Sequence, residues 1–154
     1  MLVPSLNLLS QTLLEWAKKT TSTWSYLCVC SDETVNKSDD QLISTVDELP
    51  TFKVTTNPDE IATFLKHSGT RIIFSTYQSI DVISKAQALG VPEFDLIVCD
   101  EAHRTTGVKL ADADESSFIR VHDNKFVDAK KRLYMTATPR IYAEQSKQKA
   151  LESD

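Results

Sequence analysis

At 154 residues, with 41% hydrophobic and 25% charged content, the chain has the size and make-up of one soluble globular domain with an ordinary core. Three glycines are too few for a glycine-rich all-β design, and no run of apolar residues is long enough to span a membrane. The first nine residues lack the basic start of a signal peptide, and a net charge of -5 argues against a free-standing nucleic-acid binder while leaving room for a small basic face.

Leu2 and Val3 read as the end of a short buried strand. Ser5 or Asn7 then caps a helix whose apolar stripe is Leu8, Leu9, Thr12, Leu13 and Trp16. Lys18 and Lys19 fall in its last turn, where the helix dipole favours cations. Residues 24–29 form the next strand. Cys28 and Cys30 alternate along it and Cys99 lies in a later apolar run; reduced, buried thiols are the preferred reading, with a metal site as the alternative. Residues 31–50 are polar and read as a surface excursion with one helical turn near 41–46.

A short strand over 51–55 leads to a helix start with three signals: Asn57 as cap, Pro58 in the first turn and Glu60 at the capping-box position. Ile61, Phe64 and Leu65 form its apolar face, and Gly69 ends it. A strand over 71–74, a turn at 75–78 and a helix over 79–89 follow, stopped by Gly90 and Pro92. Residues 94–99 make an apolar strand that delivers Asp100, Glu101 and His103. Residues 105–128 read as a mobile loop with a weak helical tendency after Glu115, from which Phe118, Ile119 and Val121 fold back onto the sheet, its acids Asp112, Asp114 and Glu115 being solvated rather than metal-binding. His122 and Asp123 read as a turn or packing pair, and His67 as a helix-end residue. The last strand covers 132–135.

Strands alternating with helices predict a mostly parallel sheet, in which ligands bind at the carboxyl ends of the strands. Four polar clusters fall there: Pro4-Ser5, Ser75-Thr76, Asp100-Glu101-His103 and Thr136-Thr138. A strand-end aspartate can hold Mg²⁺ through water while the metal bridges phosphate oxygens, and a neighbouring glutamate can act on the attacking water. Asp100 and Glu101 suit those roles; a solvated strand end is the bland alternative.

Asp100-Glu101-Ala102-His103 resembles the DEAH box of superfamily 2 helicases and translocases, and Thr136-Ala137-Thr138-Pro139 resembles their motif III. Residues 4–11 resemble motif Ia, and 75–79 the following DNA-contacting strand end. The longer forms over 100–107 and 133–140 look closest to the type III restriction-subunit group and to single-chain restriction–modification enzymes. The motifs span nearly the whole chain in the family's order. The resemblance implies an α/β, RecA-like P-loop NTPase sheet with flanking helices, and places residues 1–154 as part of the first RecA-like domain. It further implies Asp100 as the Mg²⁺ residue, Glu101 as the water-activating one, and His103, Thr136 and Thr138 as coupling residues. Pro4, Ser5, Thr76 and Gln78 would touch the nucleic-acid backbone, though capping or turn formation explains each equally simply. ATP and Mg²⁺ are the implied cofactors. DNA, most naturally duplex, is the implied partner, alongside a second RecA-like domain, in a cytoplasmic protein. A nuclease or methyltransferase module elsewhere in the parent is compatible with the resemblance, although no residue here shows it.

One departure is large. The family's Walker A loop, G-x-x-x-x-G-K-[ST], is not found among these residues, whose only glycines are Gly69, Gly90 and Gly107. Its strand is expected upstream of Met1, lying in the sheet beside the strand that ends at Met135. Without that loop and the second domain, these 154 residues alone are expected to be inactive as an ATPase. An RNA helicase and a non-catalytic structural or protein-interaction domain are the rival readings.

Overall fold

The computed structural model describes residues 1–31, 53–104 and 117–137. Six strands form one parallel sheet in the order β3-β2-β4-β1-β5-β6, where β1 is Leu2–Val3, β2 Ser25–Val29, β3 Val54–Thr55, β4 Arg71–Thr76, β5 Ile97–Cys99 and β6 Arg132–Tyr134. Three helices connect them: α1 (Leu6–Lys19), α2 (Pro58–Lys66) and α3 (Ile80–Ala88). The α/β expectation holds, element by element, wherever the chain is described.

The helix ends follow from local chemistry. Ser5 caps α1, its hydroxyl accepting the Leu8 N–H at 3.3 Å. Asn57 caps α2, its Oδ1 accepting the Asp59 N–H at 2.9 Å. The reciprocal half of a capping box is supplied differently from expectation: the Asn57 N–H donates to the Thr55 hydroxyl at 3.0 Å, so Thr55 takes the place foreseen for Glu60. Gly69 and Gly90 follow α2 and α3 with φ of +93° and +79°, backbone that a side chain rarely tolerates.

Side chains alternate across the sheet and define two faces. Leu2, Leu27, Val29, Ile73, Ile97 and Cys99 pack beneath α2 and α3 through Ile61, Ile80, Ile83 and Ala86. Val3, Cys28 and Phe74 pack beneath α1 through Leu9 and Leu13. The α1 stripe is rotated from the expected one. Leu6, Leu9, Ser10 and Leu13 are buried, while Trp16 stays partly exposed and meets the Phe74 ring edge-on at 5.5 Å.

Of the three residues expected to fold back onto the sheet, Phe118 and Val121 do so and Ile119 does not. Phe118, Val121 and Val127 are buried in the larger cluster, Ile119 turns outward, and the Arg132 side chain donates to the carbonyls of Val121 and Val127. The acids Asp112, Asp114 and Glu115, and the turn foreseen near 41–46, lie outside the described residues.

Candidate active site

The described residues of all four polar clusters, Thr136 alone in the last, emerge on one edge of the sheet because the strands are parallel and end there. Two cross-strand bonds hold the acidic turn against its neighbours: the Asp100 N–H donates to the Leu2 carbonyl at 2.9 Å and the Ala102 N–H to the Met135 carbonyl at 2.8 Å. The Met135 N–H in turn donates to the Cys99 carbonyl at 2.8 Å. The turn is thus tied to both β1 and the end of β6.

Within it, Asp100 Oδ1 accepts the Glu101 N–H at 2.9 Å. Glu101 is the non-glycine residue of positive φ among the described residues, at +51°. The left-handed region is costly for a residue with a Cβ, and such outliers persist only where surroundings hold them. Here that backbone lets the two adjacent carboxylates leave the strand end in different directions. Both acids are half-buried, within reach of solvent.

Glu101 Oε2 lies 3.1 Å from His103 Nδ1, and that nitrogen lies 2.9 Å from the Thr136 hydroxyl. An ionised carboxylate only accepts, so Nδ1 carries the proton when it faces Glu101, and the Thr136 oxygen shares it. The structure therefore joins three residues drawn from two separate sequence motifs. Thr138 lies outside the described residues.

The strand end after β4 differs from what a surface contact requires. Thr76 is fully buried, and its hydroxyl donates to Ser79 Oγ at 3.2 Å. Its side chain is therefore turned inward. Gln78 and Pro4 are half-buried at the same edge, and the half-buried Ser5 hydroxyl is engaged in capping.

Sequence reasoning missed Tyr77, which follows Thr76 in a single turn of 3-10 helix. Its ring is completely buried and stacked on Phe118 with centroids 4.3 Å apart, and its hydroxyl donates to the Asp100 carbonyl at 2.8 Å. Burial, with Cys99 close by, pushes the phenol well above its ordinary range, so it remains a donor. An aromatic residue inside an otherwise polar strand end was the available signal. Cys28 and Cys99 are free and buried, and desolvation pushes their thiols up to about 12 and about 11. Cys30 is buried as well, and no metal-holding group of His, Cys, Asp or Glu occurs among the described residues.

An apolar cavity of about 680 Å³ lies at the opposite, amino ends of the strands, lined by Ile72, Ile73, Phe94, Leu96 and Ile97 among others. Neither Asp100 nor Glu101 lines it. The carboxyl edge suits a hydrated divalent ion: the Asp100 carboxylate is anchored through Oδ1 by the Glu101 N–H, and its other oxygen has no partner among the described residues. No helix of the described chain is long and apolar enough to cross a membrane.

Residues 1–141 match the family described as "Type III restriction enzyme, res subunit". A protein of African swine fever virus named "Probable helicase A859L" is 33% identical over 141 residues, covering 90% of this chain and 14% of its own length. The Type ISP restriction-modification enzyme LlaGI, solved as a nuclease-deletion mutant with a DNA substrate mimic, superposes with a TM-score of 0.68 at 38% identity, covering 93% of this chain and 11% of that one. The ATP-dependent Type ISP enzyme LlaBIII, solved bound to DNA, gives 0.73 at 42% identity, covering 92% and 9%. The chain therefore spans about one-seventh of the curated relative. With its parallel sheet and the order of its motifs, the chain belongs to the type III restriction-subunit family of superfamily 2 helicase-like proteins and corresponds to their first RecA-like domain.

Proposed function

We propose that this domain is the magnesium- and water-handling half of an ATP-dependent DNA helicase or translocase, acting in a longer, cytoplasmic protein. Asp100 holds Mg²⁺ through water, and Glu101 orients and deprotonates the water that attacks the γ-phosphate. His103 and Thr136, with Thr138, transmit the state of that site to the rest of the motor. Pro4, Ser5, Gln78 and the main chain at Thr76 face the backbone of duplex DNA, which positions a motor without reading sequence. The observation that carries this reading is the tethered turn: Asp100 anchored through one oxygen, Glu101 held at positive φ, and His103 bridging Glu101 to Thr136.

The sheet also supports a Walker A strand beyond β6. Among the described strands, β6 pairs only with β5. Alternation and the Val98↔Leu133 register put Leu96, Val98, Leu133 and Met135 on the face that α1 covers, yet α1 packs over β1 and β4 instead. Leu96 and Leu133 are each 48% exposed. The crossover from β1 to β2 runs toward β3 with its helix on the α1 face; those from β3 to β4 and from β4 to β5 run the other way, with helices on the opposite face. A strand beyond β6 connecting to β1 by the same right-handed rule would lay its helix over those four residues. That strand and helix would bring the phosphate-binding loop to the same edge as Asp100. The second RecA-like domain and any nuclease or methyltransferase module would come from other parts of the protein.

The test compares DNA-stimulated ATP hydrolysis by the protein carrying that loop with its Glu101→Gln form. The substitution should leave ATP binding intact and lower turnover by about 100-fold or more. Undiminished turnover removes Glu101 as the base. The 154 residues alone should show no turnover; hydrolysis at the rate of the longer protein would overturn the need for the loop.

A further inference from the structure

We infer that Tyr77 is a positioning residue for Glu101, acting through the peptide that joins Asp100 to Glu101. The inference rests on the reading of Glu101 as the water-activating base. The Tyr77 hydroxyl donates to the Asp100 carbonyl at 2.8 Å, and the N–H of the same peptide unit, belonging to Glu101, donates to Asp100 Oδ1 at 2.9 Å. A planar peptide turns as one body, so its orientation sets φ of the residue that follows. That residue is Glu101, held at +51°. Rotation of the peptide would carry Glu101 back to the negative φ that residues with a Cβ prefer. The hydroxyl of Tyr77 opposes that rotation by holding the carbonyl inward.

The anchor itself is rigid. The Tyr77 ring is fully buried, stacked on Phe118, and rooted in the turn that closes β4, where Thr76 is bound to Ser79. Tyr77 also lies between Thr76 and Gln78, at the strand end assigned to the DNA backbone. A shift of that strand end would therefore move the Asp100–Glu101 peptide directly, linking DNA contact to the carboxylate that handles water.

Tyr77→Phe keeps the ring and its stacking and removes only the donor. In the 154-residue chain, amide exchange at Glu101 should accelerate about tenfold while Ile73 and Phe74 of β4 keep their protection. In the protein carrying the phosphate-binding loop, kcat should fall about tenfold with KM for ATP changed by less than about twofold. Val127→Ala, which loosens the same apolar cluster away from the Tyr77 ring and keeps the hydroxyl, should lower stability without that selective loss of kcat. Three results would overturn the inference: unchanged kcat in Tyr77→Phe while Glu101→Gln abolishes turnover; equal acceleration of exchange throughout β4; or the same kcat loss in Val127→Ala. Undiminished turnover in Glu101→Gln instead sinks the base assignment itself and is thereby told apart from failure of the Tyr77 link.

Discussion

The two faces of the sheet are covered unequally. Beneath α2 and α3 the apolar layer is continuous from β2 to β5, and residues 117–129 extend it with Phe118, Val121, Val127 and Ala129. On the other face α1 covers β1 and β4, Phe74 lies beneath Trp16 and Trp24, and the layer stops before β5 and β6. The difference teaches where stability and unfinished structure lie. A closed face holds the acidic turn from below, while an open one presents Leu96, Leu133 and Met135 beside the strand that carries Thr136 at its end.

Substitutions on the α1 face sharpen this contrast most. Phe74→Ala removes a fully buried ring from beneath α1 and should cost about 3–5 kcal/mol in urea unfolding. Leu133→Ser, on the same face and in the same sheet, should change stability by about 0.5 kcal/mol or less. If Leu133→Ser cost as much as Phe74→Ala, the face over β5 and β6 would be covered and the contrast would fail.

The next effect concerns the seam between β4 and β5, where β1 starts. In the 154-residue chain taken alone, the Met1 ammonium donates to the Ile73 carbonyl at 2.8 Å, and burial lowers its pKa from 8.0 to about 6, partly offset by Cys99. Between those values the unfolded chain binds more protons, so stability rises with pH from 6 to 8 and is lost as pH falls through that window. The change should be roughly 2–3 kcal/mol across the window. Acetylation of the Met1 amine should flatten that part of the profile, and a slope that survives it would assign the titration elsewhere.

The two helix caps give the smallest effects, one on each face. Asn57→Ala, losing a 2.9 Å bond at α2, should cost about 1 kcal/mol. Ser5→Ala, losing a 3.3 Å bond at α1, should cost about half that. Reversed magnitudes in thermal unfolding would mean that Ser5 does more than cap.

Much of this was legible because the signals are local. Asn57-Pro58 announces a helix start through side-chain reach and fixed φ, and Gly69 and Gly90 announce helix ends through permissive backbone. The apolar run before Asp100 reads as a parallel strand because it is apolar on both alternating faces, although the described chain covers only the face of Ile97 and Cys99. Failures arose where a hydroxyl only two or three positions away took up a bond that residue spacing does not reveal. Thr55 displaced Glu60 at the α2 cap, and Thr76 turned toward Ser79 rather than outward. The apolar residues of 117–128 lack regular spacing, so the packing of Phe118 and Val121 was foreseen while the burial of Val127 and the outward turn of Ile119 were not.

By itself, the order of residues determined the alternation of strand and helix, the strand that ends in two acids, and the single edge where the polar clusters gather, because periodicity and parallel connections are consequences of local pattern. Tertiary structure alone decided that His103 meets Thr136, that Glu101 sits at positive φ, and that Tyr77 grips the Asp100 carbonyl. Those contacts join residues 23 to 33 positions apart, or depend on them, and only the packed sheet sets their distance and direction.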